Sequence, residues 1–308
     1  MNTVPAIIEK DFWVVWVLDK LFDHERLKSI LQFKGGTSLS KVYNVIGRFS
    51  EDIDLILDWR EVTKDDPELP RKNNSQQSKF NEKVNLEAQV YIREMLLPLI
   101  TDVLQPHCRC VIDEDPHAIK VAYPVLNQSA YLRPEILLEI GPLASWTPSD
   151  VFEVSSYAAQ YFPKVFDRAS CKVPTILAKR TFWEKATILH QEAHRASEKA
   201  MPPRYSRHYY DLALMAQSAI KDEALADMAL LQEVVAFKRQ FYPSAWARYD
   251  LARPGSLKLI PSKERLNEIA SDFDRMQEMI FAKKLSLDEI LSTLMALQDE
   301  INEAGYIA

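Results

Sequence analysis

The chain has 308 residues, 47% of them apolar, and a formal net charge of −6. That is enough for one large or two modest globular domains, and an acidic chain must meet nucleic acid through a local basic patch, not a global field. No apolar run reaches the roughly 20 residues that span a bilayer, and the opening residues are read as no signal peptide. The three cysteines, Cys108, Cys110 and Cys171, are sparse and odd in number. That argues against a disulfide framework and for a reducing, cytoplasmic compartment.

In chain order, residues 5–32 read as helix: Pro5 suits a first turn, and Ile8, Phe12, Val15, Leu18 and Phe22 recur at helical spacing. Leu31 to Phe33 is a short apolar run, broken by Gly35 and Gly36, which allow close backbone approach to a ligand. Thr37 and Ser38 are expected to cap the helix that follows, whose first N–H groups would make an anion site. Asp52 to Leu57 then alternates, so Asp52 and Asp54 share one face of a strand. Carboxylates about 7 Å apart along a strand suit a pair of divalent cations roughly 3.5–4 Å apart.

Residues 58–79 are polar and read as a long loop. A helix is expected over 79–104, with Phe80, Val84, Leu86, Val90, Met95 and Leu99 along its apolar side. Three strands should follow, at 108–112, 119–123 and 136–140. Cys108 and Cys110 beside His107 lack a second cysteine pair and read as two thiols on one strand face, not a metal site. Residues 141–173 read as a proline-punctuated connector with one short helix. Helices are expected at 174–196, 204–219, 222–240, 262–282 and 285–303, with a capping box from Ser286 to Glu289. Within the first of these, Lys179, Phe182, Lys185 and Leu189 share a face, and a lysine among apolar neighbours must snorkel or meet an anion. His190 and His194, four apart, do not match His-Glu-x-x-His. With Arg195, Lys199, Arg204, Arg207 and His208 they form either a basic rim for RNA phosphates or a nucleotide, or a solvated charged face.

Phe33-Lys34-Gly35-Gly36-Thr37-Ser38-Leu39, followed by Arg48-Phe49-Ser50-Glu51-Asp52-Ile53-Asp54-Leu55, resembles the nucleotidyltransferase superfamily signature. More narrowly it is similar to the AbiEii/AbiGii toxin family of abortive-infection and toxin–antitoxin systems. The resemblance extends to the helix bearing Lys185 and to Arg207-His208-Tyr209-Tyr210-Asp211-Leu212. It implies an α+β fold: a nucleotidyltransferase-like mixed sheet flanked by helices over residues 1–165, then a helical domain over 166–308 that completes the active site. It implies Mg²⁺ or Mn²⁺ on Asp52, Asp54 and a third carboxylate on a later strand. Glu139 is the candidate, because it interrupts an apolar run where a buried charge needs a partner such as a metal. An NTP would be held by Gly35, Gly36, Thr37 and Ser38 and by Lys185, with Asp211 as companion to Lys185. Lys10 and Asp11 would reach the edge of the site.

The implied reaction is transfer of a nucleoside monophosphate to an acceptor, RNA and the tRNA 3′ end in particular, by a toxin that a neighbouring antitoxin restrains. Two alternatives stay open. The acceptor could be a protein or small molecule, or the chain could be a catalytically silent nucleotide- or RNA-binding module.

Overall fold

In the computed structural model, residues 4–127, 132–281 and 284–304 are described. The chain divides into two compact units: Met1–Asn44 with Phe49–Leu177, and Val45–Arg48 with Ala178–Ala308.

The first unit is built on a mixed sheet. Its described strands are β1 (Leu31–Lys34), β2 (Ile53–Leu57), β3 (Arg109–Ile112), β4 (Ala118–Ala122), β5 (Glu135–Gly141), β6 (Ser149–Val154) and β7 (Cys171–Ile176), in the order β3-β4-β5-β2-β1-β7-β6. β2 lies between β1, antiparallel to it, and β5, parallel to it. Leu31, Phe33, Ile53, Leu55, Leu57, Ile136, Leu138 and Ile140 send their side chains into one core with Val14, Val17, Leu18 and Leu21. Those four come from α1 (Pro5–Asp23). The helix expected to run to residue 32 breaks at His24 and restarts as α2 (Glu25–Ile30), after which Leu31 enters the sheet. A third helix, α3 (Gly35–Lys41), follows β1 with no intervening loop.

The polar run read as a loop is already helical from Asn74. Asn73 caps it, its side chain accepting from the Gln76 N–H at 2.9 Å, which supplies a partner to a first-turn donor. This α4 (Asn74–Tyr91) passes through a π turn (Ile92–Leu96) into α5 (Leu97–Leu104). The buried face is Phe80, Val84, Ala88, Ile92, Leu96, Ile100 and Leu104. Leu86, Val90 and Met95, expected on that face, are 54%, 47% and 58% exposed. A strict four-residue repeat runs ahead of a 3.6-residue turn, and the wider π turn takes up the drift.

The connector expected over 141–173 holds β6, a short α6 (Tyr157–Tyr161) and the start of β7. β7 belongs to the sheet, so the first unit reaches Leu177, past the boundary drawn at 165. Pro174 hides β7 from a sequence reading, yet it sits opposite Val151 of β6 within the ladder.

The second unit is helical: α7 (Ala178–Ala193), α8 (Ser206–Ala216), α9 (Ala219–Leu225), α10 (Met228–Phe241), α11 (Leu266–Met276) and α12 (Leu287–Ala304). One expected helix is two, because Asp227 starts α10 with its carboxylate on the Leu230 N–H. The Ser286–Glu289 box forms as read, with the Ser286 N–H donating to Glu289 at 2.7 Å and the Glu289 N–H to Ser286 Oγ at 3.2 Å. The excursion Val45–Arg48 is tied into this unit by the Phe281 N–H, which donates to the Gly47 carbonyl at 3.1 Å.

Candidate active site

The turn from β1 into α3 and the strand β2 face each other directly. Lys34 and Asp54 are register partners, and Gly35, the next residue, has φ +81°. A Cβ on Gly35 would lie 2.6 Å from Asp54 Cγ and closer still to its Oδ2. Glycine is therefore required twice over, by backbone conformation and by the carboxylate packed against it. Asp54 is half-buried, as is Asp52, one residue ahead of β2.

Thr37 and Ser38 lie inside α3, not at its cap; Lys34 is the N-cap residue. Both side chains are buried. Thr37 Oγ1 donates to the Asp52 carbonyl and lies 2.9 Å from Ser50 Oγ. Ser38 Oγ donates to the Gly35 carbonyl at 2.8 Å. The Thr37 hydroxyl thus pins the glycine helix to the entrance of the aspartate strand, and the Ser38 hydroxyl closes the first turn of the helix on itself. The first-turn peptide N–H groups of α3, Gly35 and Gly36 included, have no intrahelical acceptor.

Glu139 is the register partner of Asp54 across the parallel β2–β5 pair, so the two side chains leave the sheet side by side, on strands about 4.8 Å apart. Glu139 is exposed, contrary to the burial expected of it. Among the described residues no three His, Cys, Asp or Glu side chains converge as a ready metal cage. Magnesium rarely has such a cage: it takes one or two carboxylates plus substrate phosphates and water. Hard carboxylate oxygens are the donors it prefers. Two cavities of about 310 and 390 Å³, both lined by Arg168, lie elsewhere on the first unit and include no residue of this motif. Lys10 and Asp11, expected at the edge of the site, are buried and ion-paired, Lys10 with Glu51 and Asp11 with Lys41.

The second unit gathers the other expected residues. Lys185 Nζ on α7 is 2.8 Å from Asp211 Oδ2 on α8. Arg48 grips the same carboxylate with two bonds, Nε to Oδ1 and a terminal nitrogen to Oδ2, both 2.7 Å. Burial alone would raise the Asp211 carboxyl, but Arg48 and Lys185 hold it well below the usual carboxylate range. Burial, with Arg48 and Arg207 nearby, pulls the Lys185 ammonium down against the attraction of Asp211. His208 Nδ1 lies 3.5 Å from Lys185 Nζ, and burial together with Lys185 and Arg207 keeps that imidazole neutral near pH 7. One carboxylate so serves two cations, and the cluster retains a positive surplus. Arg48 is the member not assigned beforehand. It opens the Arg48–Leu55 stretch, but no local spacing ties it to a residue 163 positions later.

The basic rim separates into parts. His190 is buried; its Nε2 bonds the Arg248 carbonyl and its Nδ1 accepts from the Lys258 N–H, each at 3.0 Å. Arg195 is held by Glu192 at 2.6 Å and lies over the Trp246 ring. These two brace the helical unit. Cys108 and Cys110 are buried free thiols, Cys110 within β3 and Cys108 just ahead of it, and burial pushes Cys108 up to about 12.

The family described as "Nucleotidyl transferase AbiEii toxin, Type IV TA system" matches residues 16–293. The chain belongs to this family. The AbiEii assignment makes it a nucleotidyltransferase toxin of the type IV toxin–antitoxin class, a class that pairs each toxin with an antitoxin. No curated protein matches this AbiEii chain. Among solved structures it is similar to MenT4, a nucleotidyltransferase toxin from Mycobacterium tuberculosis H37Rv. That similarity has a TM-score of 0.40 and 15% identity, over 98% of this chain and 93% of the other. No helix among the described residues of the AbiEii chain is long and apolar enough to cross a membrane.

Proposed function

We propose that the chain transfers a nucleoside monophosphate from an NTP to RNA, the tRNA 3′ end in particular, and releases pyrophosphate. The observation that supports this reading is the contact between Asp54 and Gly35, which holds a carboxylate of the kind that binds hard cations directly against the glycine turn. Asp52, Asp54 and Glu139 would hold Mg²⁺ or Mn²⁺, which supplies charge neutralisation at the triphosphate when bound. The first-turn N–H groups of Gly35, Gly36, Thr37 and Ser38 would bind phosphate oxygens. Lys185, oriented by Asp211, would meet the negative charge of the departing pyrophosphate. An antitoxin restrains the activity, and transfer to tRNA would stop growth by blocking translation.

The test is to incubate the purified chain with each labelled NTP and with total RNA, protein and small-molecule fractions, with and without chelator. The expected result is metal-dependent label in RNA, with a mass increment of whole nucleotides at a 3′ end. Label in protein or small molecules instead would reassign the acceptor. No label anywhere would mark a silent binding module.

A further inference from the structure

α1 carries two adjacent side chains of opposite charge in the protein interior: Lys10 and Asp11 are 0% and 1% exposed. Each reaches a different arm of the glycine–aspartate motif. Lys10 Nζ donates to Glu51 Oε2 at 2.6 Å and to the Arg133 carbonyl at 2.9 Å. Glu51 is the residue immediately before Asp52, and Asp52 and Glu135 also attract the Lys10 ammonium. Asp11 pairs with Lys41, the last residue of the glycine helix α3, and accepts from the Tyr157 N–H at 2.6 Å. Lys41 lies over the Tyr157 ring, 3.6 Å from its centroid. One dipeptide therefore holds both the end of the glycine helix and the entry to the carboxylate strand, which Thr37 already ties to each other.

Four buried charges are a poor way to gain stability. Desolvation offsets most of the attraction, and apolar replacements of a whole pair are often neutral or better. What such pairs supply is position, since each charge is costly in any arrangement that breaks its partner. Both residues precede the stretch 16–293 that the family match covers.

We propose that Lys10 and Asp11 are positioning residues for the donor site, acting through Glu51 and Lys41 to set Asp52 and the glycine helix in the geometry that binds metal and triphosphate. This rests on the nucleotidyl-transfer reading. Neither residue is catalytic, because neither faces a substrate.

The experiment uses the full chain and three readouts: thermal unfolding, Mn²⁺ binding followed by electron paramagnetic resonance, and NMP transfer as a function of Mg²⁺. Lys10→Met should lower the melting temperature, because it removes the cation paired with the buried Glu51 carboxylate. Lys10→Met with Glu51→Leu should recover most of that loss yet bind Mn²⁺ roughly 10–100-fold more weakly, the usual effect of removing a residue that orients a metal ligand. It should also need correspondingly more Mg²⁺ for half-maximal transfer. Lys10→Arg, which keeps the charge and a donor, should rescue metal affinity. A double variant with wild-type Mn²⁺ affinity and Mg²⁺ response would overturn the proposal and leave the pair a purely structural one. Should the double variant not fold, Glu51→Gln decides the same question: unchanged Mn²⁺ affinity overturns the proposal, and weakened affinity supports it. A wild-type chain that binds Mn²⁺ but labels no fraction would overturn the transfer reading while the metal affinities still judge the dyad. A wild type that neither binds Mn²⁺ nor transfers overturns both.

Discussion

Asp54 packs so tightly against Gly35 that no side chain fits between them. Gly35→Ala must either displace the carboxylate or move the turn, and it also puts a Cβ on a backbone at φ +81°. The expected cost is about 1–3 kcal/mol of stability, with transfer lost. Gly141→Ala is the control, because an added Cβ there meets nothing within 4 Å. Parallel denaturant melts and transfer assays of the two variants check this. Equal behaviour would show that the Gly35–Asp54 contact is unimportant.

Asp54→Asn and Asp52→Asn keep shape and remove one negative charge each. Under the proposed reaction each should lower transfer by on the order of 10²-fold or more, with unfolding little changed. Glu139→Gln should cost less, because the Glu139 side chain is exposed. Single-turnover assays at saturating NTP measure the order of these effects.

Asp211→Ala removes the carboxylate paired with two buried cations, Arg48 and Lys185. Breaking a buried pair this way costs about 3–5 kcal/mol. Lys185→Met leaves Asp211 still gripped by Arg48 and should cost clearly less, while abolishing transfer equally. Chemical denaturation separates the two, and a cheap Asp211→Ala would refute the shared-carboxylate arrangement.

His190 gives the protein an acid sensitivity. Burial, opposed by its bond to the Arg248 carbonyl, lowers its pKa from 6.5 to about 4. Between those values the unfolded chain binds a proton that the folded chain refuses. Stability is therefore full above about pH 6.5 and falls as pH drops toward 4. The loss amounts to about 3 kcal/mol. Melting temperatures from pH 7.5 to 4.5 should show the slope in wild type and a shallower one in His190→Gln, whose stability at neutral pH is already reduced.

The face of the long helix is checked by alanine. Ile92→Ala should cost about 2–5 kcal/mol, and Leu86→Ala less than about 0.5 kcal/mol. The reverse order in a denaturation series would restore the face read from the sequence.

Much of the geometry of the candidate site was legible because it is local. Glycines that end one strand, and two aspartates that alternate on the next, declare a turn and a shared face within about twenty residues, and the helical half of the chain announces itself by periodicity and caps. The π-shifted face of α4–α5 was misread because Ala88 is a weak apolar signal and the repeat is four, not three and four mixed. β7 was missed because Pro174 signals a break, although the strand carries that residue opposite Val151 of β6.

The sequence by itself determined the motif, the residue types at the site and the order of elements, since these depend on chemistry within one or two turns of chain. Only the tertiary structure decided that Asp54 meets Gly35, that Asp211 is shared by Arg48 and Lys185, and that Lys10 and Asp11 pair with Glu51 and Lys41. Those partners are 19 to 163 residues apart. No local periodicity carries information over that distance, and only the packing of the folded chain brings such side chains to one carboxylate.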